Sequence, residues 1–153
     1  MQCFDSSFFV PALITGATSP AVVSFFAGLP DGDLAISRWV RVEFAAILAR
    51  DVRLGAIAAQ QAVDWGSTFE AVVPRSFSVL LPTSVDFDVA RVLVGDAKRG
   101  LRGPDALHSA IAKIDGATVF YSLDTKLVGA ARSRGLTVIS GVFRPDYPAA
   151  AEV

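Results

Sequence analysis

The chain has 153 residues, a net charge of −1, 52% hydrophobic residues and 19% charged ones. That is one domain on the scale of about 100–200 residues, and the high apolar share excludes a disordered, charge-rich chain. With 14 basic against 15 acidic residues, global charge argues neither for nor against a nucleic-acid partner, so the placement of the basic residues matters more than their number.

Met1–Phe4 reads as a buried first strand ending at Asp5, with a helix opening near Ser7. Ser19-Pro20 has the form of an N-cap and first-turn proline, starting a helix that ends at Gly28. Pro30-Asp31-Gly32 is turn chemistry, and Leu34–Ile36 follows it as a second strand. A helical period runs from Arg38 to Arg53 and another from Gly55 to Glu70. Val79–Leu81 is a third strand and Val85–Val94 a helix. Gly103-Pro104-Asp105 opens a helix that runs to Gly116. Thr118–Tyr121 is a β-rich apolar run, Leu123–Arg134 a helix closed by Gly135, and Thr137–Ile139 a last strand.

Strands alternating with helices, several of them apolar throughout, predict an α/β fold: a three-layer α/β/α open parallel sheet, Rossmann-like, in a single domain. The expected domain covers residues 1–143, and residues 144–153, rich in Pro and Ala, read as a loose tail. Cys3 is the single cysteine, which excludes an internal disulfide or a thiolate metal site and points to a reducing cytoplasm. Pro11, Gly16, Pro20 and Gly28 interrupt the most apolar region, so no run reaches the roughly 18 apolar residues of a membrane helix. No basic residue precedes Asp5, as a secretory signal would need. A soluble protein of the cytoplasm, with no membrane partner, is the expectation.

Four acids stand in unusual places. Val40, Phe44, Ile47 and Leu48 form an inward helical stripe, and Glu43 falls within it. A lone carboxylate there must be protonated, paired (with an arginine near Arg41) or turned to a polar cleft. Asp5 ends the first strand, where open parallel sheets gather ligands, although it would also cap the next helix. Asp105 lies in the first turn of its helix, where the dipole alone stabilises it. Asp124 precedes the last helix and is either its N-cap or, if Ser122 caps instead, free. Clustered carboxylates raise one another's pKa. A hard divalent cation relieves that repulsion, and an all-oxygen set suits Mg²⁺ or Mn²⁺ and phosphoryl transfer.

FDSSFFV at 4–10 resembles the opening motif of PIN-domain proteins, and VRVEF at 40–44 their second acidic motif. LRGPDALHSA at 101–110 is very close to the third, and SLDTKL at 122–127 resembles the fourth. The order fits from Phe4 to Ile139, and the size is similar to that of VapC-like toxins of bacterial toxin–antitoxin pairs, which are PIN-domain ribonucleases. The resemblance implies a PIN-like fold and a metal-dependent endoribonuclease, with Asp5, Glu43, Asp105 and Asp124 as the acids of the site. It implies Ser7 as the hydroxyl supporting Asp5, Mg²⁺ or Mn²⁺ as cofactor, an RNA substrate, a cognate antitoxin and a homodimer. Direct metal contact is expected first of Asp5 and Asp105.

His108 follows Asp105 by three positions and reads either as a partner of Asp105 or as a packed structural histidine. Trp39 and Trp65 either stack on bases or pack. Lys98, Arg99 and Arg102 form a basic run before Asp105 that would hold RNA phosphates or simply be solvated, and Lys126 and Arg132 would extend the track. Phe8-Phe9-Val10, Val22-Val23 and Phe25-Phe26 exceed the expected needs of one small core and point to an interface. Two rival functions remain open on the residues alone: a non-catalytic binding module on the same fold, and an aspartyl phosphotransferase using Asp5. The second lacks the further aspartate such enzymes place two positions on, where Ser7 stands.

Overall fold

Among the described residues, five short parallel strands form one sheet, in the spatial order Ser78–Leu80, Leu34–Ser37, Gln2–Phe4, Val119–Ser122 and Val138–Ser140. The computed structural model describes residues 1–14, 19–29, 33–96, 100–132, 135 and 137–140. In chain order the elements are β1 (Gln2–Phe4), α1 (Ser6–Leu13), α2 (Ser19–Ala27), β2 (Leu34–Ser37), α3 (Trp39–Arg53) and α4 (Ala59–Ser76). They continue with β3 (Ser78–Leu80), α5 (Ser84–Val94), α6 (Gly103–Ile114), β4 (Val119–Ser122), α7 (Thr125–Arg132) and β5 (Val138–Ser140). The expected turn at 30–32 and the expected tail at 144–153 lie outside the described residues, as do Lys98 and Arg99.

Alternation along the strands builds the three layers. Cys3 and Phe120 point to one face, where they pack with Leu107 and Ile111 of α6, Leu93 of α5 and Leu127 of α7. Phe4, Ile36 and Tyr121 point to the other, against Phe8 and Phe9 of α1, Phe25 of α2, Phe44 of α3 and Phe69 of α4. The second face is an aromatic cluster: Phe4 stacks on Tyr121 with centroids 4.7 Å apart, and Phe44 on Phe69 at 4.5 Å. Phe8, Phe9, Val22 and Phe25, expected at an interface, are therefore core residues. Of that set, Val23 alone is half exposed.

α4 differs most from expectation, starting four residues later than Gly55 and running through Pro74 to Ser76. Its start has no side-chain cap; instead Gln61 Oε1 accepts the Ala58 N–H at 2.9 Å. Proline in the last turn costs one backbone bond, but Phe69 and Val73 are buried in the aromatic cluster and hold that turn in place. Trp39 and Trp65 both pack against core clusters, as the structural reading expected.

The register fixes where the site lies. Phe4 stands level with Ile36 of β2 and Tyr121 of β4. The next residue of each strand, Asp5, Ser37 and Ser122, therefore forms a polar row at the carboxyl edge. β1 is flanked by β2 on one side and β4 on the other, so the chain changes direction across the sheet between β1 and β4. That is the crevice in which open α/β sheets bind ligands.

Candidate functional site

Asp5 leaves β1 with its N–H bonded to the Tyr121 carbonyl at 3.1 Å and its side chain capping α1. The Ser7 N–H donates to Asp5 Oδ1 at 2.9 Å, and the Ser7 hydroxyl donates to the same oxygen. On the other side, Ser122 Oγ donates to Oδ2 at 2.7 Å. Asp5 is 3% exposed. Burial pushes its carboxyl above the ordinary range, while the Ser122 and Ser7 hydroxyls pull it back.

Those two hydroxyls also tie down the turn after β4. The Leu123 N–H donates to Ser7 Oγ at 2.7 Å, and the Asp124 N–H donates to Ser122 Oγ at 3.0 Å. Asp124 Oδ1 in turn accepts the Leu127 N–H at 3.2 Å. Asp124 is thus the N-cap of α7, and Ser122 does not replace it there. Its cap role does not remove it from the cleft: Arg102, Asp105, Leu123, Asp124 and Thr125 line one cavity of about 310 Å³.

Asp105 sits in the first turn of α6, after Pro104. Its carboxyl lies above the ordinary range because of burial, then the charge of Asp124, with Glu43 adding to it. Glu43 behaves in the opposite way. Burial would raise it, but the hydrogen bond and charge of His108, with lesser help from Ser6 and Trp39, together outweigh burial and hold it below its ordinary value. His108 Nε2 lies 2.6 Å from Glu43 Oε2, and Nδ1 lies 3.1 Å from Ser37 Oγ. An ionised carboxylate only accepts, so Nε2 carries the hydrogen.

Of the alternatives left open for Glu43, pairing is the one found, with a histidine and not with an arginine near Arg41; Arg41 itself is paired with Glu70. His108 is a packed, hydrogen-bonded residue 3% exposed, and with both nitrogens engaged it is not the partner of Asp105. Asp5 is joined to the turn carrying Asp124 through Ser7 and Ser122, and Asp124 and Glu43 both lie near enough to Asp105 to raise it, so the four acids gather at one edge of the sheet despite their repulsion. Among the described residues, no three His, Cys, Asp or Glu side chains are grouped closely enough to form a ready-made metal cage.

Of the expected basic track, Arg102 is exposed at the cavity. Arg132 is instead bonded through its guanidinium to the Val138 carbonyl at 3.1 Å, which ties α7 to β5. The Lys126 side chain lies outside the described set. Sequence reasoning missed Ser37 as a site residue and weighed Ser122 only as a helix cap. The signal available was that each is the polar residue closing a strand next to β1. No helix among the described residues is long and apolar enough to cross a membrane.

Solved structures share this architecture. FitAcB of Neisseria gonorrhoeae matches at a TM-score of 0.71 and 16% identity, over 92% of this chain and 97% of that one. VapC20 of Mycobacterium tuberculosis, described as a sarcin-ricin loop cleaving toxin, matches at 0.69 and 17% identity, over 92% and 100%. A toxin–antitoxin complex from Klebsiella pneumoniae matches at 0.59 and 16% identity, over 82% and 88%. At such identities the likeness is one of fold. A search of curated proteins gives no match. The sequence pattern of the PIN domain matches residues 3–133, nearly the whole chain. With the parallel sheet and its acid-lined edge, this shows that the chain belongs to the PIN domain family.

Proposed function

We propose that this protein is a metal-dependent endoribonuclease of the toxin kind, cutting RNA phosphodiester bonds and restrained by a cognate antitoxin. The observation that carries the proposal is the crowding of carboxyls at the carboxyl edge of the sheet, where Asp124 and Glu43 both push Asp105 upward. Such mutual repulsion is what a divalent cation relieves, and an all-oxygen donor set suits Mg²⁺ or Mn²⁺. Mg²⁺ keeps several waters and takes only one or two carboxylates besides substrate phosphate. A site without a three-ligand cage fits that habit. Asp5 and Asp105 would hold the cation, with Glu43 and Asp124 adding negative charge around it. When bound, the cation neutralises the phosphate and favours attack by water on phosphorus.

The side chains of the protein have separate tasks in this reading. The two serine hydroxyls orient Asp5 and favour its ionised form against the cost of burial. His108 fixes Glu43 as a carboxylate. Arg102, at the cavity, would take a phosphate of the RNA strand, and Lys98, Arg99 and Lys126 belong to the same proposed track. VapC20 is named as a sarcin-ricin loop cleaving toxin, which supports the substrate class, and the Klebsiella structure as a toxin–antitoxin complex, which supports the partner. Exposed apolar residues on α5, Val85, Phe87 and Val92, support a homodimer. A cytoplasmic location follows from an intracellular RNA target.

The test is to incubate the purified, antitoxin-free protein with labelled structured RNAs, in Mn²⁺ or in EDTA, beside Asp105→Asn. Discrete cuts that require both the metal and Asp105 are expected. Cutting that survives EDTA or Asp105→Asn would overturn the assignment.

A further inference from the structure

We propose that Ser122 is a positioning residue of this site: it fixes the plane of the Asp5 carboxylate and locks it to the turn that carries Asp124. This rests on the nuclease reading above and gives it a further residue.

A hydroxyl has one hydrogen and two lone pairs. One lone pair of Ser122 Oγ is taken by the Asp124 N–H at 3.0 Å, and its hydrogen goes to Asp5 Oδ2 at 2.7 Å. Ser122 is 0% exposed, so no water competes for either bond. Ser7 does the same on Oδ1, donating its hydroxyl there and accepting the Leu123 N–H. The torsion that turns a carboxylate about its last bond is broad, so a group gripped at one oxygen still swings. Ser7, two residues from Asp5, grips only Oδ1. The second grip comes across the sheet from the end of β4; with Oδ1 filled by its two bonds from Ser7, it leaves Asp5 one lone pair, on Oδ2, with a fixed direction.

The same bonds close a ring from Oδ1 through Ser7 to Leu123 and from Oδ2 through Ser122 to Asp124. Asp124 caps α7 through Leu127, so the placement of the fourth acid relative to the first passes through Ser122. Removing this one hydroxyl frees Oδ2 and loosens the turn while leaving all four acids in the chain. Residues that orient a ligand in this way cost about 10–100-fold in metal affinity or activity when lost.

The test compares wild type, Ser122→Ala, Ser122→Thr and Ser7→Ala by Mn²⁺ binding (electron paramagnetic resonance of free Mn²⁺), by kcat and KM on RNA, and by thermal unfolding. Ser122→Ala deletes one atom and should fold. It should bind Mn²⁺ about ten-fold more weakly and lose kcat in proportion, with KM for RNA unchanged. Ser7→Ala should match it, and Ser122→Thr, which keeps the hydroxyl, should restore both readings. Wild-type Mn²⁺ affinity in Ser122→Ala, whether or not its unfolding midpoint drops, would overturn the proposal, because a structural role alone gives that pattern. Amide hydrogen exchange at Leu123 and Asp124 needs neither metal nor RNA. Quickened exchange there in Ser122→Ala supports the lock even if wild type fails to cut RNA, a failure that would count against the nuclease reading instead; unchanged exchange overturns the lock.

Discussion

His108 Nε2 stands 2.6 Å from Glu43 Oε2, joining α6 to α3 across 65 residues of sequence, with Ser37 Oγ at the other ring nitrogen. The pair is mostly buried, at 3% exposure for the histidine side chain and 18% for the glutamate. Breaking such a pair leaves one group buried without a partner, which costs more than the pair contributes when intact. His108→Ala should therefore lower stability by about 2–4 kcal/mol, read from urea unfolding at pH 7. A loss under about 1 kcal/mol, the scale of an exposed ion pair, would mean that solvent already serves Glu43.

Asp5 predicts the reverse balance. Its carboxyl is raised above the ordinary 3.8 by burial, so the ionised form is disfavoured on folding and its cost grows as pH rises from that value. Asp5→Asn removes the charge, and each serine oxygen keeps a lone pair for the new amide. In metal-free buffer at pH 7 the variant should unfold at an equal or higher urea midpoint than wild type, while losing Mn²⁺ binding. A drop of more than about 2 kcal/mol would show that the serine hydroxyl bonds to the charged form outweigh burial.

The folding pattern was largely legible because short apolar runs are separated by Gly and Pro at most boundaries, such as Gly28, Gly55, Pro82, Gly95 and Gly116. α4 was the exception. Ala58 offers no capping side chain, and the helix continues past Pro74 only because Phe69 and Val73 find an aromatic cluster built from distant elements. The acids were legible for a similar reason: Asp5, Asp105 and Asp124 stand at strand or helix ends, and Glu43 breaks an apolar stripe. Their partners were not. Whether Glu43 meets an arginine or His108 depends on how α3 and α6 cross, and Ser37 and Ser122 gain meaning only once strand register sets them beside Asp5.

Cys3 supplies a probe of the core. Burial, and then the charge of Asp5, push its thiol up to about 12, and the residue is 2% exposed on the sheet face covered by α6. The thiolate is the reactive form. The native protein should therefore give no reaction with a thiol-specific disulfide reagent at pH 8, and one equivalent on unfolding in urea. Rapid labelling of the native state would mean that β1 opens locally, which would expose Asp5 as well.

Asp124 has two roles that a pair of substitutions separates. Its Oδ1 caps α7 at the Leu127 N–H, and its charge raises Asp105 across the cavity. Asp124→Ala removes both and should cost about 1 kcal/mol, the usual loss of an N-cap. Asp124→Ser keeps a capping oxygen without the charge, so its stability should stay close to that of wild type. If the charge helps hold the cation, both variants weaken Mn²⁺ binding and RNA cleavage alike, despite their different stabilities. If only Asp124→Ala is impaired, Asp124 acts as a cap alone, and the cation depends on Asp5, Asp105 and Glu43.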